Sequence, residues 1–313
     1  MLNTPIDVIL QPFSPITPSQ AGVQTVSAEF PCRYDYRDIE LDLGSGGAAI
    51  TPAMIQEVRL KANGQVILRS GGTVLDAINQ YYKAPAAAQV LSLMARRLGI
   101  RGGAQAIKGG TLISGSAKDL SLETNLNTGS FNKAGQGISS LICEIDIINS
   151  PAGAPRILPF AQVTDPYPGG AGIVRLLDKT SFVAVSGSNT ASKSNALLYG
   201  DPNHAMLNAL YIVAPTSVLS NYQFFFNNNL ILQRTQAQNA YLQQVDALRD
   251  PLTFFNTYNG VVLEWSPTGF GDEVLNIQDP STDMRLIFNS TVAEALAFYQ
   301  DSFGYPFGRP DQG

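Results

Sequence analysis

Apolar and polar positions alternate over short stretches along most of the chain. Ile39-Glu40-Leu41-Asp42-Leu43 alternates apolar and acidic residues, the period of a half-buried strand. Val58-Arg59-Leu60-Lys61 alternates apolar and basic residues, meets Asn63-Gly64 and continues into Gln65-Val66-Ile67-Leu68, which predicts a tight hairpin. Ile142-Cys143-Glu144-Ile145-Asp146-Ile147 alternates again and stops at Asn149-Ser150-Pro151. Further strands are predicted at Leu210 to Val213, Gln223 to Phe226, Leu230 to Leu232, Val261 to Trp265 and Arg285 to Phe288. Many short strands between Gly, Pro, Asn and Asp turns indicate an all-β sandwich or jelly roll, not an α/β enzyme.

Few stretches carry a helical period. Thr73 is placed to cap a short helix with Val74, Ala77, Ile78 and Tyr81 on one face. Ala86 to Leu98 reads as a second helix, opened after Pro85 and stopped by Gly99. Thr235 to Leu248 reads as a third, with Ala237, Tyr241, Val245 and Leu248 near one face, Gln on the other, and Pro251 beyond its end. Val292 to Tyr299 satisfies two patterns: its Ala and Glu favour helix, while the architecture favours a closing strand.

The chain also echoes itself. The hairpin Val58 to Arg69 and the helix after it are matched, 165 residues later, by Gln223 to Arg234 and its helix. The Ile39 to Leu43 strand upstream is matched by Leu210 to Val213. A repeat near half the chain length predicts two similar domains. Pro151 to Pro155, Pro159 and Pro166-Tyr167-Pro168-Gly169-Gly170 hold many breakers and read as a linker. The expected organisation is an arm at 1–20, a first eight-stranded jelly roll at 21–150, a linker at 151–170 and a second roll at 171–313. Residues 1–20 lack Lys and Arg and contain Pro5, Pro12, Pro15 and Pro18, which suits an extended arm and not a signal or transit peptide.

Composition narrows the partners. Charged residues make up 14% of the chain, against roughly 25% in typical soluble proteins. A surface so poor in charge suits burial against other subunits. With 20 basic and 25 acidic residues, net −5, the chain lacks the basic excess of a nucleic-acid binder, and no sequence-specific nucleic acid is expected. No apolar run approaches the roughly 18 residues that span a bilayer.

Here the sequence resembles a known family, the double jelly-roll major capsid proteins of tailless, membrane-containing bacteriophages, most closely the corticovirus type. The resemblance is carried by Ile50-Thr51-Pro52-Ala53-Met54-Ile55-Gln56-Glu57-Val58-Arg59-Leu60, Asn63-Gly64 and the Thr73-Val74-Leu75-Asp76 helix start. It continues in Leu141 to Asp146, Ala152-Gly153-Ala154-Pro155, Phe160-Ala161-Gln162, and Asp283-Met284-Arg285-Leu286-Ile287-Phe288. It implies two tandem jelly rolls in a homotrimeric, pseudo-hexagonal capsomer of an icosahedral shell over an internal membrane. It also implies neighbouring capsomers, penton and minor capsid proteins as partners, and a virion protein made in the host cytoplasm. Lys83 to Lys118 departs from the family pattern, being longer and richer in Ala and Gly.

Candidate chemistry is sparse, and no residue is assigned a catalytic or cofactor-binding role. His204 is the one histidine and lies in the turn-like Gly200-Asp201-Pro202-Asn203-His204; no Gly-x-Ser-x-Gly elbow accompanies it. Cys32 and Cys143 lack zinc spacing and read as buried free thiols, with a single bridge as the alternative. Acidic clusters at Asp35, Asp38, Glu40 and Asp42, and at Asp272, Glu273, Asp279 and Asp283, offer oxygen ligands, so structural calcium is the one metal considered. Lys83, Arg96, Arg97, Arg101, Lys108 and Lys118 form an acid-free basic segment, either a solvated face or a patch for lipid headgroups, the genome or an acidic neighbouring capsomer. The Gly pairs at 46–47, 71–72, 102–103 and 109–110 fit no phosphate-binding pattern and read as turns. Phe224-Phe225-Phe226 and Phe254-Phe255 read as core or seam residues, and Asn289-Ser290-Thr291 as a silent glycosylation sequon. The alternatives to a capsid protein are a phage receptor- or carbohydrate-binding sandwich and a β-rich glycan hydrolase.

Overall fold

The structure, a computed structural model, describes residues 5–93, 126–246, 249–265 and 275–308. The chain divides into two compact units, the first comprising Met1–Arg97, Ser121–Arg175 and Phe307–Gly313, the second centred on Leu176–Pro306.

In the first unit the strands are β1 (Ile6–Ile9), β2 (Val23–Phe30), β3 (Asp35–Asp42), β4 (Ile55–Ala62), β5 (Gln65–Ser70), β6 (Val90–Ser92), β7 (Leu126–Asn127), β8 (Leu141–Ile148) and β9 (Leu158–Thr164), with α1 (Gly72–Tyr81) between β5 and β6. One sheet has the order β1-β9-β3-β6, with β7 also on β3. The other places β2, β8, β4 and β5 side by side, all antiparallel. The chain therefore changes sheet between most successive strands, and β4 and β5 alone stay together as a hairpin. That winding is a jelly roll.

The second unit repeats it. Its strands are β10 (Val174–Ala184), β11 (Gly187–Ala191), β12 (Met206–Val213), β13 (Leu219–Phe226), β14 (Asn229–Arg234), β15 (Val261–Glu264), β16 (Leu275–Asn276), β17 (Met284–Ser290) and β18 (Glu294–Gly304). Helices α2 (Gln236–Asp246) and α3 (Pro251–Thr257) follow β14. One sheet runs β15-β12-β18-β10, with β16 also on β12, and the other β11-β17-β13-β14. Each strand has its counterpart nine places earlier, including the two short strands that share one position beside β3 and beside β12.

The echo in the sequence is this repeat. Both hairpins turn on two residues with positive φ, Asn63 (49°) and Gly64 (81°) in the first, Asn227 (49°) and Asn228 (61°) in the second. These are type I′ turns, whose twist matches the flanking strands. Both first asparagines are also pinned in the same way. Asn63 N–H donates to Ser140 O and its Oδ1 accepts from Ser140 N–H, just before β8. Asn227 N–H donates to Asp283 O and its Oδ1 accepts from Asp283 N–H, just before β17.

Alternation places the cores. Val58 and Leu60 of β4 and Cys143, Ile145 and Ile147 of β8 are buried, while Arg59, Lys61, Glu144 and Asp146 point outward. In the second unit Phe182, Leu207, Leu210, Ile212, Phe224, Leu263, Trp265, Leu286, Phe288 and Phe298 pack in one cluster. The strand β12, Met-Leu-Asn-Ala-Leu-Tyr-Ile-Val, is buried throughout. Its outward-facing Tyr211 packs on Phe254 of α3, with ring centroids 6.0 Å apart.

Four expectations change. No helix forms over Ala86–Leu93: Val90–Ser92 is β6, pairing with Glu40–Asp42 and burying Leu91 and Leu93, so tertiary pairing overrides the Ala-rich preference. Thr73 does not cap α1, whose N-cap is Gly71. The packing reason is at Gly72, where a Cβ would lie 2.5 Å from Pro52 O and 2.7 Å from Ile55 Cβ. The breaker-rich stretch 151–170, read as a linker, contains β9, paired on both sides. Pro159 fits there because it is the second residue of the strand, where only its carbonyl is used, by Leu10 N–H. The arm at 1–20 supplies β1 and then crosses its own unit, burying Leu10, Phe13 and Ile16, with Phe13 edge-on to Phe30 at 6.4 Å. The segment Val292 to Tyr299 resolves as strand, most of it within β18.

Candidate assembly surfaces

The chain's one histidine sits in a single turn of 3-10 helix, Pro202–His204, capped by Asp201, whose Oδ1 accepts from Asn203 and His204 N–H. The ring is clamped on both sides. Nδ1 lies 3.1 Å from each Asp201 carboxylate oxygen, and Nε2 lies 2.9 Å from Asp178 Oδ2 on β10. A neutral imidazole has one N–H and would set a lone pair against one of these carboxylates; the imidazolium donates to both. Burial opposes the charge, but Asp178 and Asp201 outweigh it and hold the His204 pKa above its ordinary value. Asp201 is opposed by burial and yet lowered, chiefly by His204. With both nitrogens committed to carboxylates, the ring has no position from which to activate a nucleophile.

A second charged group spans the outer face of the sheet built from β2, β8, β4 and β5. Arg59 reaches Asp146 (2.6 Å), Glu57 (2.7 Å) and Glu144 (3.2 Å). Lys61 reaches Glu144 at 2.6 Å, Arg69 reaches Glu57 at 3.0 Å, and Thr25 donates to Asp146 at 2.7 Å. Hydrogen bonds from Arg59 depress Asp146, and those from Lys61 and Arg59 depress Glu144. Burial works against Glu57, but Arg59 and Arg69 still hold it low. The alternating acids and bases were visible in the sequence; that they meet follows only from the register Arg59↔Glu144.

The other sequence candidates do not converge. On β3, Asp38 accepts from Ser92 Oγ, Asp42 from Gly44 N–H, and buried Asp35 faces Thr164 Oγ1 at 3.4 Å. Asp279 closes its own turn with Ser281, and Asp283 pairs with Arg285; Asp272 and Glu273 lie outside the described residues. Among the described residues no group of three His, Cys, Asp or Glu is placed to hold a metal ion. Cys32 and Cys143 are both free thiols; burial, then Glu29, pushes Cys32 up to about 11, and burial raises Cys143 further. Phe224 packs on Trp265 at 4.6 Å, Phe254 is buried, and Phe225 lies under the Arg285 guanidinium at 5.4 Å. The sequon Asn289 is part of β17. Lys83 is exposed, and Arg96, Arg97, Arg101, Lys108 and Lys118 lie outside the described residues.

The face expected of α2 is reversed. Asn239 and Gln243 are buried, and both donate to Val262 O, at 2.6 and 2.7 Å. Tyr241 (64%) and Val245 (55%) are instead exposed. In the first unit Asn79 of α1 donates in the same manner to Ser92 O of β6. Helix amides thus satisfy carbonyls of β6 and β15, each an end strand of its sheet. Ile6, Ile9, Val183, Val185, Leu230, Ile231 and Leu252 are exposed as well.

Two jelly rolls of one winding in tandem, each with a helix after its fifth strand, define the double jelly-roll class of viral capsid protein. Solved structures of that class match the whole chain. The major capsid protein P2 of bacteriophage PM2 has a TM-score of 0.71 at 18% identity, covering 96% of this chain and 97% of that one. The major capsid protein of Sulfolobus turreted icosahedral virus has 0.61 at 10% identity, covering 97% and 98%. The capsid protein of PBCV-1 virus has 0.53 at 10% identity, covering 97% and 94%. A search of curated protein sequences gave no match. Residues 10–164 match the family model of the viral coat protein P2 N-terminal domain. The chain is a corticovirus-like major capsid protein of this P2 family, and its place is the capsid shell of the virion.

Proposed function

We propose that the chain forms homotrimeric, pseudo-hexagonal capsomers that tile an icosahedral shell over an internal membrane. The observation that carries this reading is the repeat: two rolls of identical winding per chain make six similar rolls in a ring of three. Low charge and outward apolar side chains on α2 support broad contacts with few ions to desolvate. Neighbouring capsomers, penton and minor capsid proteins are the proposed partners, and the role is structural, without turnover. Native mass spectrometry or light scattering tests the reading. A species of three chains, or a particle built from it, is expected. A monomer at every concentration would overturn the capsomer and favour a glycan-binding sandwich.

A further inference from the structure

An end strand leaves main-chain N–H and C=O groups on its outer side, so the edges of a β-protein are where another chain can join it. The end strands β6 and β15 are attended by the helix amides of Asn79, Asn239 and Gln243. β1, β2, β11 and β14 are end strands too. Ser14 N–H of the arm donates to Ser27 O of β2 and Asn195 Nδ2 donates to Thr190 O of β11, whereas among the described residues no helix side chain bonds the main chain of Ile6–Ile9 or of 229–231.

The ladder alternation tells which groups point outward. Leu10 N–H donates to Pro159 O, so Leu10, Val8 and Ile6 turn their main chain toward β9, while Asp7 and Ile9 turn theirs to the free edge. In β14 the two-residue turn Asn227-Asn228 makes Phe226 and Asn229 a bonded pair, so Leu230 turns its main chain outward. The side chains agree. Ile6 (40%) and Ile9 (72%) of β1, and Leu230 (46%) and Ile231 (44%) of β14, are open to solvent. Ile231 is the extra residue of a β-bulge, between the pairs Phe225↔Leu230 and Phe224↔Leu232, and it too lies open to solvent. The single charge on β1 is Asp7 and the single charge on β14 is Arg234, so the two edges are complementary. Two β1 strands paired about a twofold axis would instead bring Asp7 near its copy.

We propose that β1 of one copy adds to β14 of the next copy, continuing the sheet across the subunit boundary by main-chain hydrogen bonds. Each chain offers one β1 and accepts at one β14, a heterologous contact that closes once the ring is complete. The proposal rests on the trimer reading and specifies which edges make it.

Cysteine pairs in the full chain test it: Asp7→Cys or Ile9→Cys combined with Leu230→Cys or Ile231→Cys, oxidised and run without reductant beside the wild type. At least one double variant is expected to give two- and three-chain products, while each single variant stays a single chain like the wild type. Ile9→Pro, which removes an outward N–H and leaves the β9 bonds intact, is expected to raise the concentration at which the trimer dissociates by about tenfold or more, with unchanged circular dichroism. Cross-linking by Ile9→Cys or Asp7→Cys alone would show twofold pairing and overturn the proposal. Silence of every double variant in a protein whose native mass is a trimer would overturn it too, while leaving the trimer standing. A monomeric native mass would remove both.

Discussion

His204 shows how a single side chain can be prominent in a sequence while its role stays hidden. Asp201, three residues earlier, was in view; Asp178, on β10, was not, because only the fold brings it to Nε2. Since the folded pKa lies above the ordinary value of about 6.5, the clamp stabilises fully below that pH and is lost as pH rises through the folded pKa. The one histidine gives an unambiguous NMR titration, whose midpoint is expected above about 6.5 and lower in Asp178→Asn. Thermal stability is expected to fall as pH rises above about 6.5 and through the raised folded pKa, and the fall should be smaller in His204→Gln. Titratable groups on β18 have their own partners: Tyr299 lies beneath Lys179 and Asp301 beside Tyr211.

Arg59 works in the opposite pH direction. Its carboxylate partners are depressed, so their contribution is present above the ordinary carboxylate range near pH 4 and lost as pH falls through the folded values. Arg59→Met should cost about 1–2 kcal/mol at neutral pH, a figure discounted for the partial exposure of the group. Denaturant titration should find the difference shrinking as pH falls from about 4 through the depressed folded values, where the acids take up their protons.

Secondary-structure elements were legible where one face alone is buried. The alternation of β3, β4 and β8 and the Asn63-Gly64 turn were read correctly, because a half-buried strand writes its own period into the chain. The helix α2 misled about its faces: a helix beside a sheet edge has carbonyls to satisfy, so amides turn inward and Tyr241 and Val245 outward. Residues Ala86–Ser92 misled for a related reason, since partners far away in sequence decide what a short Ala-rich stretch becomes. The hairpin asparagines carry the prediction at this scale. Asn63→Ala and Asn227→Ala each lose a positive-φ turn residue and its bonds to the strand opposite, and each should cost about 1–2 kcal/mol by urea denaturation. Being in separate units, the two losses should add in the double variant.

For the whole molecule the informative quantity is how little charge it carries. With 14% charged residues and apolar side chains displayed on β1, β14 and α2, its subunit contacts should depend little on ionic strength. The native mass of the oligomer is expected to be unchanged between about 0.1 and about 1 M salt, a range over which exposed ion pairs are largely screened. Dissociation across that range would place charged residues, not strand edges, at the contact.

Taken by itself, the sequence determined the class of fold, the twofold repetition and the turn chemistry, because hydrophobic period, Asn-Gly turns and the order of elements are local properties of a chain. It also carried the family resemblance, which the match over residues 10–164 bears out. What only the tertiary structure decided was partnership across distance. The imidazolium between Asp178 and Asp201, the register that gathers three carboxylates around Arg59, and the strand hidden in the Pro-rich stretch near 159 all depend on it. So do the edges of β6 and β15, which helix amides cover, and those of β1 and β14, which among the described residues they do not. Each is a relation between segments far apart in the chain, and no local pattern encodes a neighbour that folding alone supplies.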